Sequence, residues 1–112
     1  MITVKVLIDS DGGYRGFQVK GHAGYAAAGE DIVCAAVSVL TQNTINSIEA
    51  FTEDDFSCSV DEGYLDCSFS GTISGESKLL MNSMMLGLES IVESYKTDKK
   101  KNQFIRILTE EV

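Results

Sequence analysis

Proline is absent from this chain, histidine occurs once, as His22, and cysteine occurs three times. No proline-rich linker, repeat or low-complexity stretch divides the 112 residues, so one domain over residues 1–112 is expected. Basic residues are scarce: 9 Lys and Arg stand against 17 Asp and Glu, for a net charge of −8 and a pI of about 4.4. Phosphate contact needs a basic face, so no direct nucleic-acid partner is expected. An acidic surface suits a basic protein instead. No apolar run approaches the length of a membrane span, and residues 1–10 lack a signal-peptide pattern. No membrane partner and a cytoplasmic location are therefore expected.

Several chemistries are also missing. His22, Cys34, Cys58 and Cys67 form no close Cys-x-x-Cys or His-x-x-His pair, so neither a metal site nor a dithiol redox centre is expected. No G-x-G-x-x-G or P-loop spacing supports phosphate binding. No cofactor is implied. Three cysteines cannot all pair within one chain.

What is present is the material of a folded core, since apolar residues make up 44% of the chain. Residues 2–8 alternate, with Ile2, Val4, Val6 and Ile8 on one face, and read as a strand. Asp11-Gly12 signals a type I′ turn, about which Val6 falls opposite Phe17 and Val4 opposite Val19. The second strand ends near Gly21 and delivers His22 to the sheet rim. Residues 30–50 predict a helix with a stripe of Val33, Val37, Leu40, Thr44 and Ile48.

Residues 56–60 and 64–70 alternate again. A two-residue Glu62-Gly63 turn pairs Val60 with Leu65, Cys58 with Cys67 and Phe56 with Phe69 on one face. Cys58 and Cys67 are expected to be buried, reduced core residues facing each other. Strain and a reducing cytoplasm both disfavour a cross-strand disulfide. Residues 76–96 predict a second helix, capped by Ser74, with Leu80, Met84, Leu88, Ile91 and Tyr95 along its stripe. Gly87 inside it marks close packing against a neighbour. Met81, Met84 and Met85 read as core, with an adaptable peptide-binding surface as the second reading. Phe104 to Leu108 read as the last strand.

The order β-β-α-β-β-α-β predicts an α+β fold, a mostly antiparallel sheet of about five strands with two helices packed on one face. Leu7, Ile105 and Ile107 are then left on the other face, where a second subunit would cover them.

The stretch from Gly21 to Ser38 concentrates the chemistry. His22 stands twelve positions before Cys34, and a run of small residues bounded by Gly24 and Gly29 separates them. Cys34 falls near the start of the first predicted helix, where the dipole favours a thiolate. His22, brought up by the strand, could serve as its base. A lone cysteine near a helix start is also an ordinary small core residue. Glu30 and Asp31 suit the helix N-terminus; they oppose a thiolate at Cys34 and favour a protonated His22. Asp31 has a second reading, orienting His22. Ser38 lies a turn inside the helix, where a hydroxyl tends to bond back to a carbonyl.

The string Gly21-His22-Ala23, then a small-residue loop, then Gly29-x-Asp31-Ile32-Val33-Cys34-Ala35 with Ser38 beyond, resembles the ribosomal-processing cysteine protease (Prp) family. Ala26, Ala27 and Ala28 depart from the glycine or polar residues expected of that family's loop. The resemblance implies a catalytic dyad of His22 and Cys34; Asp31 and Ser38, which with His22 could also make a Ser-His-Asp set, are the candidates for supporting it. It also implies a substrate-gating loop that includes Gly24, Tyr25 and Gly29, and a homodimer. It further implies removal of a short N-terminal extension from the precursor of a large-subunit ribosomal protein, cut after an aromatic residue. Two other classes fit the composition: a non-catalytic ribosome-assembly binding protein, and a small thiol-dependent esterase or acyltransferase.

Overall fold

The computed structural model describes residues 1–21, 30–61, 63–95 and 104–112, with only the backbone of residues 30 and 31. Its elements run β1 (Ile2–Ile8), β2 (Tyr14–Lys20), α1 (Glu30–Phe51), β3 (Phe56–Asp61), β4 (Tyr64–Phe69), α2 (Gly75–Ser94) and β5 (Ile105–Glu111). The five strands form one sheet in the order β3-β4-β2-β1-β5. Every neighbouring pair is antiparallel except β1 and β5, which are parallel. The α+β order read from the sequence is the order observed.

The first hairpin has the expected register, Val4 against Val19 and Val6 against Phe17. Its turn is not type I′, which needs positive φ at both central residues. Gly12 alone takes positive φ, +81°, and its N–H donates to the Asp9 carbonyl at 3.0 Å. The Asp9 carboxylate accepts from the N–H groups of Asp11 and Gly13, both at 2.9 Å. The loop is thus one residue longer than a type I′ hairpin. A register shift beside Leu7, where Gly16 faces it and Tyr14 faces Ile8, absorbs the extra residue.

The core lies between the sheet and the two helices. Ile2, Val4, Val6 and Phe17 from the sheet meet Val33, Val37 and Ile48 of α1 and Met81, Met84 and Leu88 of α2, all essentially buried. Met81 and Met84 are core and Met85 packs against it half-buried, in line with the core reading of these three methionines. An added Cβ at Gly87 would lie 2.9 Å from both methyls of Leu40, so the glycine lets α1 and α2 approach closely. The hydroxyl of Ser74 accepts from the Ser77 N–H at 3.2 Å and caps α2.

Two further expectations are corrected. Ile105 and Ile107 do not face away from the helices. The parallel register sets Ile105 beside Ile2 and Ile107 beside Val4, which puts both on the core side; Ile105 is buried and Ile107 half-buried. The open face carries Leu7 and Leu108 among polar groups such as Lys5, Gln18 and Arg106, so little apolar surface there needs cover. Cys58 and Cys67 face each other as expected, with Cα atoms 4.1 Å apart, but they form a disulfide and not two buried thiols. Cys67 is fully buried, whereas Cys58 is exposed.

Candidate active site

β2 ends where three segments converge. Gly21 follows it with φ +96°, and its N–H donates to the Gly63 carbonyl in the β3–β4 turn at 3.0 Å. A Cβ at Gly21 would lie 2.4 Å from the Met1 carbonyl oxygen, at the entry to β1. Left-handed backbone and close approach both call for glycine here. The chain leaves the sheet at this corner one residue before His22. His22 itself, Gly24, Tyr25 and Gly29 lie outside the described residues, as does the side chain of Asp31.

Cys34 lies in the second turn of α1, half-buried and packed against the core cluster. It is the one cysteine outside the disulfide. The helix behind it runs 22 residues, long enough to carry a full dipole toward its N-terminus. Ser38, one turn on, is exposed. The Thr41 and Thr44 hydroxyls donate to the carbonyls of Val37 (2.9 Å) and Leu40 (2.8 Å). Their polar groups are satisfied inside the helix.

Ser38, Thr41 and Gln42 form one wall of an open trough of about 270 Å³. Gly21, Val60, Asp61 and Tyr64, from the end of β2 and the β3–β4 hairpin, form the opposite side. One opening therefore joins the corner at Gly21 to the helical turn after Cys34. The hairpin wall is the part that motif reading missed. Alternation marks Val60 as inward-facing, yet it is 78% exposed because α1 leaves it uncovered. Strand periodicity carries no signal for that, since cover depends on where the helix crosses. Among the described residues no group of three or more His, Cys, Asp or Glu side chains could hold a metal ion.

A half-buried carboxylate organises the far end of α1. Asp54 accepts from the Ser74 N–H at 3.0 Å, from the Ser74 hydroxyl at 2.6 Å, and from the Ser77 hydroxyl. These bonds, that of the Ser74 hydroxyl first, hold its pKa below the usual carboxylate value. The cluster ties the α1–β3 connection to the N-terminus of α2 and stands apart from Cys34.

The family model for cysteine protease Prp matches residues 1–100. The ribosomal processing cysteine protease Prp of Staphylococcus aureus is 28% identical over 104 residues, covering 91% of this chain and 98% of that protein. The protein of the same name from Bacillus subtilis is 29% identical over 102 residues, covering 86% and 91%. The crystal structure of the S. aureus protease in complex with a substrate peptide superposes with a TM-score of 0.87 at 27% identity, over 98% of this chain and 100% of that one. With its one cysteine outside the disulfide on the second turn of a long helix, and with the family model matching residues 1–100, this chain belongs to the cysteine protease Prp family.

Proposed function

We propose that this protein is a cysteine endopeptidase that removes a short N-terminal extension from the precursor of a large-subunit ribosomal protein, cutting after an aromatic residue. The observation that carries this reading is the position of Cys34 one helical turn before Ser38, which lines an open trough shared with Gly21, the residue before His22. The Cys34 sulfur attacks the scissile carbonyl carbon, and His22 takes the thiol proton. As the tetrahedral intermediate collapses, the C–N bond breaks, and His22 returns that proton to the leaving amine. Water then hydrolyses the thioester and restores the thiol. Backbone N–H groups of the first turn of α1 are the donors for the oxyanion. Asp31 orients His22, Ser38 supports the site from the trough wall, and Gly24, Tyr25 and Gly29 gate it.

The enzyme works in the cytoplasm as a homodimer, without a nucleic-acid or membrane partner. No helix among the described residues is long and apolar enough to cross a membrane. Leu79 and Leu86 on α2, and Ile32 and Val39 on α1, are exposed apolar pairs spaced seven residues apart, which supports cover by a second copy. The test is incubation with the ribosomal precursor, with product masses measured for the wild type and for Cys34→Ala. One cut near the precursor's N-terminus, lost in the variant, is expected. An uncut precursor would overturn the reading.

A further inference from the structure

The helix layer stops short of the sheet's edge. On β3, Phe56, Cys58 and Val60 point toward the helices, as their partners Phe69, Cys67 and Leu65 do on β4. Phe69 and Cys67 are buried, but Phe56 is only half-buried, Cys58 is exposed and Val60 is 78% exposed. The floor of β3 is therefore open. The face of α1 beside it carries Cys34, Ser38, Ile45 and Glu49, spaced so that they form one stripe along the helix, with Thr52 just past its end. The trough that begins at Ser38 and Val60 is followed along the same helix and strand by a second hollow of about 400 Å³, between Ile45 and Glu49 of α1 and Phe56 and Cys58 of β3.

β3 is an outermost strand of the sheet, and among the described residues no strand pairs with its other edge. Its six residues present an edge about 20 Å long. The charges along this channel are of one sign. Asp61 lines its first part, Glu49, Glu53 and Asp54 its second, and no Lys or Arg lines either. Asp54 is held by the serines of α2, so Glu49 and Glu53 carry the charge presented at the far end.

We propose that the open edge of β3 binds an extended, cationic segment of the substrate as a further strand, whose side chains on the helix side reach the acidic channel between β3 and α1, one helical turn beyond Cys34. Main-chain pairing with β3 would supply affinity without regard to sequence, and the carboxylates would select lysine and arginine. The inference rests on Cys34 being the nucleophile, and it assigns specificity to the wall opposite the motif.

The test uses the full chain and a fluorescent ten-residue peptide of alternating lysine and threonine, with binding read by anisotropy. Saturable binding is expected, weakened about tenfold in the double variant E49Q/E53Q, whose two sites are exposed on the surface. N-methylation of alternate backbone amides of the peptide is expected to weaken binding as much, because it blocks strand pairing. Equal binding by the wild type and E49Q/E53Q, or equal binding of an alternating glutamate and threonine peptide, would overturn the channel. Failure of the wild type to cleave the precursor is read in the separate mass assay, and it would overturn the protease reading instead.

Discussion

Gly21→Ala probes the corner that leads into the stretch from His22 to Cys34. Two costs arise there. An L residue at φ +96° is held in left-handed backbone, at about 1–2 kcal/mol. The new Cβ would also lie 2.4 Å from the Met1 carbonyl oxygen, well inside contact distance. Relief requires turning the Met1–Ile2 peptide, whose N–H donates to the Phe104 carbonyl at 2.8 Å. Losing that bond costs about 1 kcal/mol more. Gly71→Ala isolates the first cost, because Gly71 has φ +80° with nothing within 4 Å of an added Cβ. The gain from stiffening the unfolded chain is common to both variants and cancels in the comparison. Urea denaturation should therefore place Gly21→Ala about 1 kcal/mol or more below Gly71→Ala, a midpoint lower by about 0.5–1 M. Turnover of the folded fraction should also fall for Gly21→Ala alone. Equal losses of stability in the two variants would refute the close approach at Met1.

Three further outcomes are expected. Cys34→Ala should abolish cleavage while the urea midpoint changes little, and Cys34→Ser should be nearly as inactive; turnover retained by a contaminant-free Cys34→Ala preparation would exclude the thiol as nucleophile. Alkylation followed by peptide mapping should label Cys34 alone before reduction and also Cys58 and Cys67 after it. Reduction should lower stability by roughly 2–3 kcal/mol for a loop with a sequence separation of 9, and an unchanged urea midpoint would argue against the bond. Because the Asp54 pKa is depressed in the fold, its contribution is present above the ordinary carboxylate pKa of 3.8 and is lost as pH falls through the lower folded value. The acid-side drop in urea midpoint should therefore be shallower in Asp54→Asn, and identical pH profiles would show that the serine bonds contribute nothing.

Local patterns carried much of the fold. Alternation set the register of β1 with β2 because slipping by one residue would turn Val4, Val6 and Phe17 out of the core. The turn between those strands does not follow from Asp11-Gly12, because a longer loop and a compensating bulge leave the distant register unchanged. The face of β5 was misjudged for a different reason. Its residues sit 103 positions from their partners in β1, and the pattern of residues 105–108 does not state the direction of pairing. The opposition of Cys58 and Cys67 was legible, but whether the sulfurs bond depends on the approach of two backbones, which no spacing encodes. At the site, Cys34 and the Gly21 corner stood out as a motif. The hairpin wall did not, because the exposure of Val60 is set by the path of α1 and not by Val60's neighbours in sequence.

The parallel pairing of β1 with β5 has a consequence for how the chain is made. β1 can zip to β2 as soon as the first hairpin leaves the ribosome, but its other edge waits for β5, which is translated after both helices and the other four strands. Until then Ile2, Val4 and Val6 belong to an incomplete sheet with one side open to any passing strand. Final closure joins the Ile2 N–H to the Phe104 carbonyl and the Val112 N–H to the Ile8 carbonyl, both at 2.8 Å. Closing so long a loop is the slow, entropically costly step of the topology. A chain that stalls before residue 105 would hold its entire Gly21–Ser38 motif and still lack the strand that seals its core, leaving it a substrate for chaperones before it could act on substrates of its own.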